Sequence, residues 1–389
     1  MLGPGAVLFL SLFAGQAAVL VLAPILPDVA GEFGVSTATA GQLRSLSGVA
    51  GGLAAVGLGV LARRLRVRQL LAGGLALLAF GSLASASAPS FTALAAAQVA
   101  IGAGVAAVLS AAVAAAGEWA RPQERTRVLS WALLGQPAAW VAGMPLVGIV
   151  AEFDWRLAWL VLPLASSALA LVAVRLRRSA GETPEPDDRP LPSPWGEPGV
   201  VGWVIGELFA FAAWAGTLVY AGALFFESYG LSLGTTGLIL GVGACAYFPG
   251  TLLARRFVES HARVLLVALG LVAAVGIALF GTVRPAAWVS AAIFSFLVFV
   301  VGGRTIAATA FGLQAVTRHQ VAVTSIRAAA IQFGYLLGAA IGGAALAAGG
   351  YAGMGTVLSA LFALAIVPHL AAARGGLRNV PAAAPQVGS

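Results

Sequence analysis

The sequence has no lysine, and only 9% of its 389 residues are charged. A soluble globular chain carries about a quarter charged residues to keep its surface wet, so that class is excluded. A single cysteine, Cys245, rules out a disulfide scaffold and a cysteine-rich metal site. The three histidines, His261, His319 and His369, are scattered and offer no ligand spacing, so no metal or other cofactor is expected. Without lysine the phosphate-cradling pattern G-x-x-x-x-G-K-[ST] is impossible, which excludes an intrinsic P-loop motor. A membrane-embedded enzyme needs polar groups converging at one depth, and the sparse acids and histidines supply none. What the chain has instead is 60% hydrophobic residues and a mean hydropathy of +0.96. Disorder and collagen-like repeats are excluded by the same figures, and the 50 glycines suit closely packed membrane helices.

A bilayer core takes about 20 apolar residues in helix. Such runs fall at 5–27, 38–61, 69–88, 91–117, 126–151, 155–175, 199–226, 231–254, 263–283, 286–314, 320–349 and 351–372, which makes twelve spans. The first run has no basic start, and Pro24, Pro27 and Asp28 end it where a signal peptide has a small-residue cleavage site, so it is expected to remain as a helix.

The net charge of +8 on a soluble domain would suggest a nucleic-acid partner. Here the arginines lie in the gaps, and topology explains them. Gaps after even-numbered spans hold Arg63, Arg64, Arg66 and Arg68, then Arg121, Arg125 and Arg127, then Arg175, Arg177, Arg178 and Arg189. The same pattern continues with Arg255, Arg256 and Arg263, with Arg318, and with Arg374 and Arg378. The odd gaps hold Asp28 and Glu32, Pro89, Glu152 and Asp154, Glu227, Arg284 and Gly350. The excess of arginine on one side places both termini in the cytoplasm of a multi-pass protein of the inner (plasma) membrane. A monomer surrounded by lipid, with no nucleic-acid partner, is expected.

The stretch from Arg175 to Pro198 is rich in Pro, Asp and Glu and reads as a linker. It divides the chain into an N-terminal six-helix bundle (1–175), a cytoplasmic linker (176–198), a C-terminal bundle (199–374) and a tail (375–389). The halves echo each other: Gly59-Val-Leu-Ala-Arg-Arg64 closes span two, and Gly250-Thr-Leu-Leu-Ala-Arg-Arg256 closes span eight. Related halves around a linker are the mark of a transporter whose substrate site lies between them.

On these residues the chain resembles the major facilitator superfamily, over essentially its whole length. Gly59, Arg64 and Arg68 match the family's loop 2–3 motif G-x-x-x-D-R-x-G-R-R, while Arg63 replaces the acid and Arg66 the second glycine. In the family that acid is thought to hold the outward-facing state, so this chain must stabilise that state differently or less strongly. In span five, Gly135-Gln-Pro137 and Gly143-Met-Pro145-Leu-Val-Gly148, followed by Asp154-Trp-Arg156, resemble the glycine- and proline-rich motif of drug and sugar-efflux proton antiporters. Glycine and proline on one helix also permit bending and close packing without any family role. Gln98 stands where that branch often opens span four with arginine.

A charge at the bilayer centre is expensive, so each deep one is a candidate functional group. Glu207 lies about nine residues into span seven, roughly 13 Å along the helix, and Arg304 lies near the middle of span ten. The resemblance places spans one, four, seven and ten around a central cavity, so these two are the expected proton-coupling pair; a permanent ion pair that fixes helix packing is the alternative. Trp203, Glu207, Phe211, Trp214 and Leu218 recur on one helical face. An acid among aromatic rings suits a lipophilic cation, or else Trp203 anchors at the interface and the other rings simply pack. Arg44 and Arg327 suit an anionic substrate, unless they snorkel to the nearer interface. Gln16, Gln98 and Gln332 complete the candidate lining, or bridge helices.

The expectation is therefore an all-α membrane protein of twelve helices in two pseudo-symmetric bundles. It works by alternating access, with proton-coupled efflux of a small amphipathic compound. Transport of a small organic anion, or a non-transporting sensor on the same fold, are the alternatives.

Overall fold

A computed structural model describes residues 3–61, 65–176, 199–315 and 320–376. Arg63 and Arg64 of the loop motif, residues 177–198 of the linker and residues 377–389 of the tail lie outside the described residues, as do the surroundings of Gly59 and the side chain of Arg327.

With no water in hydrocarbon to pair backbone N–H and C=O groups, each crossing segment must satisfy its own as helix. The described residues accordingly form helices and no strand. The N-terminal half holds α1 (Pro4–Glu32), α2 (Thr37–Leu61), α3 (Val67–Ala86), α4 (Phe91–Trp119), α5 (Arg127–Ala151) and α6 (Trp155–Leu176). The C-terminal half holds α7 (Val200–Tyr229), α8 (Leu233–Arg255), α9 (Val258–Thr282) and α10 (Ala287–Ala315). It ends with α11 (320–348) and α12 (351–376), divided where the backbone leaves helical geometry at Gly349 and Gly350. Gly350 has φ +59°, a left-handed turn that a side chain would strain. The described residues thus form twelve long helices, six in each half.

Local chemistry sets the ends and bends. Ser90 and Ser232 cap α4 and α8 by accepting from the N–H groups of Ala93 and Thr235, both at 3.2 Å. Buried hydroxyls donate back to the carbonyl one turn earlier, as Ser82 does to Leu78 at 2.6 Å, so they cost little in an apolar core. Helix α1 breaks at Val21, just before Pro24 and Pro27. Helices α5 and α6 each contain a π-turn, Ala139–Gly143 before Pro145 and Leu160–Leu164 around Pro163. Proline supplies no N–H and crowds the preceding turn, which is why these helices deform there. Large apolar side chains such as Leu53, Phe80, Val242 and Trp288 lie exposed on the outside, where lipid replaces water as solvent.

The two halves meet toward the end that carries Glu32, Glu152, Asp154 and Glu227, the acidic end. Three helix pairs form this seam: α1 with α7, α2 with α11, and α5 with α8. The last two pairs exchange under the pseudo-symmetry, since each joins a second helix to the other half's fifth. Small residues let the backbones touch. A Cβ added at Gly222 would stand 2.0 Å from the carbonyl oxygen of Ala23, and one at Gly148 would stand 3.0 Å from the Cα of Gly237. Across the seam Gln42 donates to the Ala339 carbonyl at 3.1 Å, Ser45 to that of Leu336 at 3.2 Å and Tyr220 to that of Ala38 at 3.4 Å. Thr37 donates to Glu227, which also accepts from Tyr351 at 2.8 Å.

This seam gives a test of the closed state. Overpacking costs about 1–3 kcal/mol, and at Gly222 that cost falls only where the halves touch. Gly222→Val should therefore move the ratio of sealed to open molecules by roughly fivefold to a hundredfold. The readout is labelling of Ser45→Cys, in a Cys245→Ala background, by a membrane-impermeant thiol reagent. Unchanged labelling would show that the acidic end does not open.

Candidate functional site

Just inside the seam, α1, α2, α5, α7 and α11 leave a residual cavity of about 20 Å³, room for about one water. Its wall is apolar and aromatic, with Leu20, Leu22, Trp140, Met144, Leu218 and Tyr335, and it includes one charged side chain, Arg44. Arg44 is 2% exposed. Its Nη1 donates to the Ser47 hydroxyl at 2.6 Å, and its guanidinium carbon stands 3.9 Å over the centre of the Tyr335 ring. Among the described residues its Nε and Nη2 have no hydrogen-bond partner.

The side chain thus turns inward instead of snorkelling to the nearer interface. Holding arginine at the bilayer centre costs at least about 2.5–3.5 kcal/mol on insertion scales. A desolvated cation–π contact returns about 2 kcal/mol and leaves two donors unsatisfied. Tyr335 belongs to the opposite half, so this contact also joins the halves. It stacks edge-on with Phe211, the ring centres 5.2 Å apart.

The pair Glu207 and Arg304 does come together. Arg304 Nη2 lies 2.6 Å from Glu207 Oε1, and His369 Nε2 lies 3.6 Å from the same oxygen. All three are buried, and Arg304 also faces the Phe362 ring at 5.6 Å. The elements are α7, α10 and α12, so this cluster belongs wholly to the C-terminal half and contributes nothing to the Arg44 cavity wall. Gly206 makes room for it, since a Cβ there would meet the His369 ring at 2.4 Å.

The shared face of α7 disperses over several neighbours. Trp203, read as a possible interface anchor, is 2% exposed and donates to the Ala308 carbonyl at 3.0 Å. Trp214 stacks on Phe294, and only Leu218 of that face reaches the cavity. Glu207 therefore has a guanidinium and an imidazole beside it, not an aromatic cage for a cation. Gln98 donates to the Ser85 hydroxyl at 3.2 Å, joining α4 to α3, which is the helix-bridging alternative and not a cavity contact. Gln16 and Gln332 keep buried Nε2 atoms without partners. Each lies one turn along its helix from a cavity residue, Leu20 and Tyr335 respectively.

The glycine–proline segment of α5 faces two ways. Gly135 packs on the Phe9 carbonyl of α1, and Pro137 lies in the same turn. Gly143 meets Leu20 and Leu162, while Pro145 crosses the seam to Gly241 of α8. Arg68 donates to the Val174 carbonyl at 3.2 Å and to that of Arg175, satisfying the end of α6.

Sequence spacing missed Trp140, Tyr335 and His369. An isolated aromatic on an apolar helix gives no signal, and His369 lies 162 positions from the acid it approaches. Glu152 was read only as a topology marker. It accepts from the Gly234 N–H of α8 at 2.9 Å across the seam. The Ser232 hydroxyl and that N–H hold its carboxyl below the ordinary carboxylate range, as expected of an acid at a helix N-terminus.

A family model described as Major Facilitator Superfamily matches residues 8–321. Among solved structures, a bacterial homolog of the human lysosomal transporter Spinster, inward-facing and occupied, superposes with a TM-score of 0.82 at 14% identity, covering 98% of each chain. An inward-facing, unoccupied structure of a bacterial Spinster homolog gives 0.78 at 15%, again covering 98% of each. A D-xylose-proton symporter gives 0.76 at 16%, covering 93% of this chain and 95% of that one. At these identities the likeness concerns the fold. No curated protein matches significantly in sequence.

The Glu152 contact has a pH signature. Its carboxyl is depressed below 4.5 only while it accepts across the seam. The contact therefore supports the sealed state fully above the ordinary value, and the support is lost as pH falls through the depressed one. As the pH is lowered from 7 toward 4 and below, the labelling rate of Ser45→Cys divided by that of Ser45→Cys with Glu152→Gln, which does not titrate, should rise; the ratio cancels the loss of thiolate at low pH. Identical pH profiles would remove Glu152 from the seam.

Proposed function

The chain belongs to the major facilitator superfamily and is a multi-pass membrane transporter; we propose that it couples proton movement to efflux of a small amphipathic compound by alternating access. The observation that carries this reading is the seam at the acidic end. Glycine-mediated contacts close the acidic end over a cavity walled by both halves, so rocking the halves about that cavity would expose it to each side in turn.

In the proposed orientation the arginine-rich gaps, both termini and the 176–198 linker face the cytoplasm, and the sealed end faces outward. Substrate would then load from the cytoplasm of an inner-membrane protein, which suits export. The bent α5 would be the occluding helix, because its π-turn lies beside the cavity and Pro145 sits on the seam. Bundles of residues 1–175 and 199–374 would be the moving bodies, and a monomer suffices.

Proton coupling is assigned to Glu207. Protonation would remove the charge that Arg304 faces 2.6 Å away, freeing the guanidinium and altering how α7 packs on α10. His369 beside the same carboxylate provides a second proton acceptor. Because the cluster stands apart from the Arg44 cavity, substrate and proton would communicate through α7, which contributes to both.

Flux into proteoliposomes under an imposed pH gradient tests this, with a panel of amphipathic acids, bases and neutral compounds. One pH unit is worth about 1.4 kcal/mol and supports up to about tenfold accumulation in one-for-one coupling. The native protein should approach that ratio for its substrate. Glu207→Gln should fall to equal concentrations inside and out while still exchanging labelled for unlabelled substrate. Gradient-driven accumulation that survives Glu207→Gln would exclude this carboxylate as the proton carrier.

A further inference from the structure

Among the described residues, the polar atoms left without hydrogen-bond partners in the central cavity wall, or one helical turn from it, are all nitrogen donors. Arg44 contributes Nε and Nη2, and Gln16 and Gln332 each contribute an Nε2 one helical turn from the cavity wall. A buried donor that lacks an acceptor is costly, and a buried unpaired guanidinium more so. Among the described residues no carboxylate faces this guanidinium: its contacts are the Ser47 hydroxyl and Tyr335, through the ring face and the nearby phenol oxygen. The free edge of the guanidinium, with two N–H-bearing nitrogens side by side, matches the two oxygens of a carboxylate or phosphate. The rest of the wall is Leu20, Trp140, Met144, Leu218 and Tyr335, which offers an apolar body nothing but contact area.

We infer that Arg44 is the anion receptor of the transport site, and that the substrate is an amphipathic organic anion whose carboxylate or phosphate is held by Arg44 Nε and Nη2 while its apolar part lies against Trp140 and Tyr335. This assignment rests on reading the cavity as the transport pathway. At about 20 Å³ the space in the present state is too small for such a molecule, so the substrate enters as the halves part and Tyr335 draws away from Arg44. The anion then replaces the ring as the partner of the guanidinium. An unliganded carrier keeps Arg44 covered by Tyr335, and a loaded one keeps it paired with the substrate.

Binding separates this inference from the transport reading, since it needs neither gradient nor flux. The purified full-length protein is titrated with 4-phenylbutyrate and 8-phenyloctanoate, with the corresponding phenylalkyl phosphates, and with the matching amides and amines. Ligand-induced thermal stabilisation and Trp fluorescence are the readouts. At least one acid should bind about tenfold or more tightly than its amide, and the amines should not compete. Arg44→Gln should abolish the acid-over-amide preference, and Arg44→Lys, which keeps the charge and loses the fork, should restore part of it.

A purely structural Arg44 would behave differently without ligand. Removing a clamp between the halves lowers the melting temperature, whereas removing an uncompensated charge leaves it equal or higher, as expected here for Arg44→Gln. Equal binding of acids and amides, preference for amines, no binding by any acid, an acid preference that survives Arg44→Gln, or equal stabilisation by chloride or inorganic phosphate would each overturn the inference. If acid selectivity through Arg44 holds and no gradient-driven flux is found, only the transport reading fails.

Discussion

Hydrocarbon offers no hydrogen bonds and little screening, and that single constraint orders this protein. Backbone amides pair within helices, and many buried hydroxyls, such as that of Ser82, find a carbonyl one turn away. Each charge must sit at an interface, meet an opposite charge, or await a ligand. Most of the arginines take the first course. Glu207 and Arg304 take the second, at 2.6 Å in the core of the C-terminal half. Arg44 takes the third.

The same constraint explains why glycine does the work that leucine does in soluble bundles. Between helices in lipid the gain comes from close contact, since burying apolar surface removes no water. At Gly222, Gly148 and Gly237 the backbones of opposite halves touch. A seam made of close, small contacts would be lost all at once if the halves rocked apart, which suits the proposed alternating access. Charged contacts at the rim, Glu152 to the start of α8 and Thr37 to Glu227, add direction to a seam that is otherwise shape alone.

The N-terminal half brings Arg44 and the C-terminal half brings Tyr335, so the guanidinium–ring contact exists only when the halves are together. The cluster of Glu207, Arg304 and His369, by contrast, is complete within one half. A charge cluster inside one half and a contact between two halves differ in what moving the halves would do to them. Only the second changes its partners, and α7 is the helix that touches both.

Much of this was legible before any coordinates. Apolar run length gave the helices, arginine spacing gave the alternation of the gaps, and the expense of depth singled out Glu207, Arg304 and Arg44. Periodicity failed for the α7 face, because sharing a stripe on one helix does not fix which neighbour each residue meets. Trp203 found a carbonyl of α10, Trp214 found Phe294, and Glu207 found a histidine far away in sequence. Gln98 looked like cavity lining and instead bridges α3 and α4, since a neutral amide serves either place equally well. The sequence by itself determined that this chain is a twelve-helix bundle in two halves, because length and polarity are local properties that the bilayer reads directly. Only the tertiary structure decided which end is sealed and which arginine is left without an anion. Those outcomes depend on pairings between helices, and no local pattern encodes them.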